Sequence, residues 1–395
     1  MNQIPTNLMA PGGDTETRCV PHVAASPMHS VRGLERRDLE EVADIFLRVF
    51  RRIERKERRA AALPAVVAHL AEVYLDCPWL DADRGSLVLL CGDGAIRGFL
   101  GSIQLPMSID GRPLLASAMG NFMVAERERH AGAGLDLLRT HLANGLDVHF
   151  TDTANRTSLA MRRGMRFELL PFHSLEWVLP LRPARLAVER AGRRWPSLPT
   201  RLLDRAVRPI DAPLRRSLRL HEMRGDHPTV GDASRHELFA FAVERVRQRR
   251  FRPEWTAERF EWLLDRASKR TGNGPLRLRE ARDGNGRVVG RWLIYAEAGS
   301  VASVLQVFAV PRRETAVVAA LIRDADELGC LAVRGSAEPE LIEALYTVPG
   351  ILFHHKGATA ARTADPDVMA ALRAGDVSIG GLTGESWTRF VSDTF

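Results

Sequence analysis

The stretch Val124-Ala-Glu-Arg-Glu-Arg129-His-Ala-Gly132-Ala-Gly134-Leu-Asp-Leu-Leu138 joins two kinds of pattern. Before it, LLASAMGNFMVA (114–125) reads as a strand, and residues 134–145 carry apolar side chains at helical spacing. A strand, a glycine-bearing loop and a helix, in that order, suit a bound anion. Glycine lets the backbone approach without a Cβ in the way, and the first amides of a helix have no partner within it. The helix dipole adds about 0.3–1 kcal/mol per favourable charge. Two glycines before a helix also serve a plain turn, so the surrounding elements must decide.

Outward from this stretch the chain is densely patterned. HSVRGLE, from residue 29, alternates like a strand, and the residues after Asp38 repeat at helical spacing. A second helix, broken near Pro64, runs to Tyr74. SLVLLCG (86–92), IRGFLGSIQLPMSI (96–109) and 114–125 are strands turned by Asp93-Gly94 and Asp110-Gly111, the dipeptides that favour hairpins. VHFTDTA (148–154) is a short buried strand, 155–163 a helix, and RFELLPFHSLEWVLPL (166–181) one long final strand. The order is β-α-α-β-β-β-α-β-α-β. After residue 219 it partly recurs: HEMRGD as a strand, helices at 232–250 and 256–268, and a hairpin turned at Asn285-Gly286. A strand at 301–310, a helix at 314–328, LAVRGSA, a helix at 338–347 and ILFHHKG follow. Low identity between matching segments predicts a diverged structural duplication.

The segment 124–138 resembles the acetyl-coenzyme A signature of the GNAT N-acyltransferases: a strand valine, then Arg or Gln, two residues, Gly, one residue, and Gly or Ala. It matches at Arg129, Gly132 and Gly134, and the resemblance covers 29–181 in element order. Glu126 stands where the family usually has proline. The resemblance implies an α/β fold of two tandem GNAT-like domains. It implies that amides of Arg129, His130, Ala131, Gly132, Ala133 and Gly134 hold the pyrophosphate of an acyl-coenzyme A, acetyl-CoA first. It implies, too, that the strand ending at Val124 pairs with the pantetheine arm. A second match, Thr151-Asp-Thr-Ala-Asn155 before a helix, makes Asn155 a candidate coenzyme A ligand, although Asn is also an ordinary N-cap.

Amine acylation needs a base for the nucleophile and an acid for the leaving thiolate. The places where the family keeps a glutamate and a tyrosine hold neither in the first half. Glu126, Asp152, His149 and His173 remain candidate bases, each with a plainer role as loop charge, cap or core side chain. Tyr346 falls at the family's acid position in the second half, but Pro311-Arg-Arg-Glu-Thr-Ala-Val317 has no glycine there, so Tyr346 is expected in the core or lining a pocket. No serine or cysteine elbow adjoins the loop, which favours direct attack in a ternary complex.

Residues 182–219 hold eleven arginines against Glu189, Asp204 and Asp211, so the net charge of +7 belongs to this segment. Five prolines within it are spaced to interrupt any long helix. A solvated linker or covering arm is expected, with neither nucleic acid nor a peripheral membrane contact as its partner. The expected division is a loose tail (1–28), an acyl-CoA-binding domain (29–181), the arm (182–219) and a degenerate second domain (220–395). No stretch has the roughly 18 consecutive apolar residues of a membrane helix. Scattered Cys19, Cys77, Cys91 and Cys330 suit a cytoplasmic protein without a metal. The function expected is acyl transfer to an amine of a small molecule, amino sugar or protein. The alternatives are an acyl-CoA sensor, or an aminoacyl-tRNA-dependent transferase that would have no need of the glycine loop.

Overall fold

The computed structural model describes residues 29–53, 55–125, 132–217, 228–270, 272–355, 357–391 and 393, and of 215–217 the backbone only. β1 (His29–Gly33) leads into α1 (Leu39–Val49), whose Leu39, Val42, Ile45 and Phe46 are buried at helical spacing. α2 (Lys56–Tyr74) is one helix, not two. Pro64 removes a single hydrogen bond, while Ala62, Val66, Leu70 and Val73 seat the helix on the core on both sides of it. β2 (Leu87–Cys91), β3 (Ile96–Ile109) and β4 (Arg112–Val124) form an antiparallel meander. Gly94 and Gly111 take the positive φ their hairpin turns require. α3 (Ala133–Leu142) carries the chain to β5 (Val148–Ala154), parallel to β4, and α4 (Arg156–Gly164) follows.

The expected long strand 166–181 is two strands, β6 (Glu168–Leu169) and β7 (Leu175–Pro180). Pro171, which has no N–H for a ladder, starts a single 3-10 turn between them, and the strands enter different sheets. The arginine-rich segment also departs from expectation, folding as α5 (Pro183–Arg194) and α6 (Thr200–Ser217). Pro183 opens α5 and Pro199 directly precedes α6, where the missing N–H costs nothing. Pro209 and Pro213 are carried within α6.

The second half contains β8 (Thr229–Asp232), α7 (Arg235–Val246), β9 (Phe251–Pro253), α8 (Ala257–Ser268), β10 (Leu276–Arg282) and β11 (Val288–Tyr295). β12 (Val301–Ala309), α9 (Glu314–Glu327), β13 (Ala332–Ser336), α10 (Ile342–Tyr346), β14 (Leu352–His355), β15 (Ala358–Thr363) and α11 (Pro366–Ala374) complete it. The strand expected at HEMRGD (221–226) lies outside the described residues. β15 and α11 had no counterpart in the sequence-based order.

Two mixed sheets result. One runs β1-β2-β3-β4-β5-β15-β6, with β9 added to the far end of β3, and the other runs β14-β7-β13-β12-β11-β10-β8. The halves exchange a strand reciprocally. β15, from late in the chain, lies between β5 and β6, and β7, from the first half, lies between β13 and β14. Both exchanged strands are well buried: Ala360 and Ala361 of β15 are sealed from solvent, as are Trp177 and Leu179 of β7. One large core cluster draws on residues from Leu39 to Phe390 and so spans both halves.

Candidate functional site

β4 and β5 pair in parallel only where Ala116, Ser117 and Ala118 meet Val148, His149 and Phe150. Beyond Ala118 the strands part. A β-bulge bends β4 at that point, with Asn121 and Phe122 set against Leu100 alone on β3. Asn121 takes φ 48°, a left-handed conformation that asparagine tolerates better than most residues. Its amide donates to the hydroxyl of the buried Tyr74 at 2.8 Å, which fixes the bulge from behind.

A cavity of about 390 Å³ opens at the parting. Met119–Phe122 form one wall and Thr151–Asn155 the other, with Ser158 and Arg162 of α4 at the side. α3 begins beside it. Gly134 packs so closely on Phe122 and Met161 that a Cβ would lie 3.2 Å from the Phe122 ring. Gly132, at φ 76°, caps the helix in a conformation that favours glycine, and a Cβ there would meet nothing within 4 Å.

One carboxyl in the cavity comes from a segment that no motif marks. Glu385 is 3% exposed and fills the space that a side chain at Gly120 would need; a Cβ there would lie 1.2 Å from its Oε1. Thr153 Oγ1 donates to the Glu385 carboxylate, and the Glu385 backbone N–H donates to Asp152 at 3.2 Å. Burial, then the neighbouring Asp152 carboxylate, pushes Glu385 up to about 7. Arg162, also buried, lies against the rings of Phe122 and Phe167 and donates to Ser158 Oγ at 3.2 Å. Burial brings its pKa down to about 10, against the pull of Glu385. A carboxyl that titrates near neutrality and a buried guanidinium therefore share one cavity.

The sequence-expected residues divide by position. Asp152, Asn155 and His173 line the cavity. Asn155 is the N-cap of α4, its side chain accepting from the Ser158 N–H at 2.9 Å. His173 is held near 4 by burial. His149 does not line the cavity; its ring packs 5.2 Å from that of His141 on α3, and burial holds it near 4. Tyr346 is 83% exposed and does not line this cavity, so the expectation of a core or pocket position is corrected. Five-residue α10 turns it outward while Ala344 and Leu345 face the core. Val124 ends β4 and Ala133 opens α3. Glu126, Arg129, His130 and Ala131 lie outside the described residues.

Glu385 was missed because 230-odd residues separate it from Thr153 and nothing local to it suggests chemistry. The signal was in the run Gly380-Gly381-Leu-Thr-Gly384-Glu385, where three glycines in five residues announce close backbone approach. Gly384 uses it: a Cβ there would lie 2.1 Å from Asp152 Oδ2.

The second sheet repeats the parting, with a side chain bonded across part of it. β12 and β13 pair in parallel only at Val301–Ser303 against Ala332–Arg334. In the gap Gln306 donates to Glu338 at 2.9 Å and accepts from the Leu382 N–H at 3.2 Å. Gly381 presses so close that a Cβ would lie 1.9 Å from Gln306 Oε1.

No protein-family model and no curated protein matches this chain. Solved structures do. A probable N-acyltransferase of unknown function from Enterococcus faecalis V583 superposes with TM-score 0.54 at 11% identity, over 85% of this chain and 72% of its own. A GCN5-related N-acetyltransferase from Anabaena variabilis ATCC 29413 gives 0.54 at 9% identity, over 85% and 73%. One from Kribbella flavida gives 0.51 at 13%, over 87% and 73%. This chain therefore shares its fold with these N-acetyltransferase structures.

Proposed function

We propose that this chain is an acyltransferase that moves an acetyl or other short acyl group from an acyl-coenzyme A to an amine. The observation that carries the proposal is the parted pair β4/β5, whose cavity holds a carboxyl titrating near neutrality. The residues fit such a donor: a glycine turn, the first amides of α3, and a bent strand edge beside a cavity. In this reading the backbone from Arg129 to Gly134 holds the pyrophosphate, the end of β4 near Val124 holds the pantetheine arm, and Asn155 adds a polar contact. The bound donor supplies an activated acyl carbon.

Glu385 then acts as the general base. At neutral pH a large share of it is ionised, and it takes the proton the amine sheds on attack. Thr153 and the Asp152–Glu385 backbone bond fix its carboxyl, and Arg162 supplies a positive field in the low-dielectric wall. Residues 29–181 carry the donor side in this proposal. The half from 220 closes the opposite side of the cavity through Ser303–Leu305 and Arg334–Glu338 and shapes the acceptor pocket.

The test is turnover of acetyl-coenzyme A against a panel of primary amines, followed by free thiol. Acylated product with the wild type, and a rate lower by about 10²–10⁴ with Glu385→Gln, is expected. Donor binding without turnover across the panel would favour a sensor instead.

A further inference from the structure

Leu202, Ala206, Ile210 and Leu214 stand four residues apart on α6 and make one stripe along it. That stripe faces out. Leu202 is 66% exposed, Ile210 51% and Leu214 39%, and Trp195, in the turn between α5 and α6, is 58% exposed. The edge that α6 turns to α5 is acidic. Asp211 is buried and accepts from the Ala184 N–H at 2.8 Å, and Asp204 accepts from Arg185 at 2.6 Å. An amphipathic helix on a soluble body normally shows the reverse, apolar inward and polar outward.

The flank of the stripe is basic. Arg201, Arg205 and Arg208 lie on one side of it by helical spacing, and Arg193 and Arg194 end α5 beside Trp195. Among the acidic groups of the segment, Glu189 pairs with Arg193, Asp204 with Arg185 and Arg208, and Asp211 is buried, so Arg194, Arg201 and Arg205 carry the charge of the outward face. Exposed aliphatic side chains with one aromatic and a row of arginines are what an interfacial helix needs.

We propose that α6 and Trp195 form a docking surface for an anionic phospholipid membrane. The aliphatic side chains enter the boundary between headgroups and acyl chains, and the arginines meet lipid phosphates. The helix lies on the surface without crossing it, in keeping with the absence, among the described residues, of a helix long and apolar enough to span a bilayer. RNA is a poorer fit, since leucine and isoleucine offer bases no stacking face. So is a second copy, because a two-fold contact through this face would set its arginines against their own counterparts.

The experiment uses the full chain. Co-sedimentation with vesicles of phosphatidylcholine mixed with phosphatidylglycerol, and of phosphatidylcholine alone, reads binding. Saturable binding to the anionic vesicles only is expected, weakened by added salt. Leu202→Ser, Ile210→Ser and Leu214→Ser combined should lower that affinity at least about tenfold, with the circular dichroism of the wild type. Arg194→Gln, Arg201→Gln and Arg205→Gln combined should do the same. Tryptophan emission should shift to the blue on the anionic vesicles, and Trp195→Phe should lose the shift. No sedimentation with anionic vesicles overturns the proposal. So does tight saturable binding of bulk tRNA without vesicle binding, or a solution dimer that the triple serine variant disperses.

Discussion

Gly120 and Glu385 compete for one place in space, and the carboxyl occupies it because residue 120 has no side chain. Everything proposed for Glu385 depends on that vacancy, on Thr153 and on Asp152. Activity of the wild type should rise with pH through about 7 as Glu385 loses its proton, and Glu385→Gln should abolish that limb of the pH–rate profile along with most of the rate. Stability carries an independent sign. The folded-state pKa lies above the ordinary 4.5, so the folded chain holds more protons than the unfolded chain between those values. Stability should therefore fall as pH rises from about 4.5 to about 7, by up to about 3 kcal/mol, and stay level above it. Melting curves at pH 5 and pH 8 should differ less for Glu385→Gln than for the wild type. A second substitution probes the loop: Gly132→Val places a β-branched residue at φ 76°, and calorimetry should show acetyl-coenzyme A affinity lowered at least about tenfold. Unchanged affinity would remove the loop from the donor site. Gly132 could be read from the chain because the motif and the helix it caps are contiguous. Glu385 could not, because its partners Thr153 and Asp152 are neighbours only through the fold.

Among the elements, the parting of two parallel strands occurs twice and is used differently each time. Between β4 and β5 it opens a cavity, one lining residue of which, Phe122, packs on Gly134. Between β12 and β13 it is occupied by Gln306, Glu338 and Leu382, and the approach to α9 carries Arg312 and Arg313 with no glycine. Titration with acetyl-coenzyme A should accordingly saturate at one per chain, and native mass spectrometry should show no second adduct. Two bound donors would mean that the C-terminal segment yields the second gap. The order of the elements was legible because hairpin turns such as Asp110-Gly111 and periods of two or 3.6 are local signals. The break at Pro171 and the survival of α6 through Pro209 were not, because packing on a partner element decides whether a proline ends a helix or is tolerated within it.

The molecule as a whole is tied by β15 in the first sheet and β7 in the second. A chain cut after residue 181 loses β15 and leaves β5 with an open edge, while the remaining piece loses β7 from between β13 and β14. Each piece alone should aggregate or stay unfolded by circular dichroism, and co-expression should recover a soluble 1:1 complex. Independent folding of 1–181 would show that the exchange is dispensable. The recurring element order could be read in the sequence, but the exchange could not: both strands are short, and nothing in them states which sheet they join.

The exchange also sets a clock on synthesis. β5 leaves the ribosome some two hundred residues before β15, so the first sheet waits, with a gap in it, for nearly all of the second half to appear. Pairings across so long a stretch of chain form slowly, and an unfilled edge invites pairing with a neighbouring nascent chain. Alanines at Ala358, Ala360 and Ala361, with Thr359 and Thr363 between and beside them, make a late insert that is small and only weakly sticky while it waits. The cavity between β4 and β5 is therefore complete only after the segment that carries Glu385 has been made.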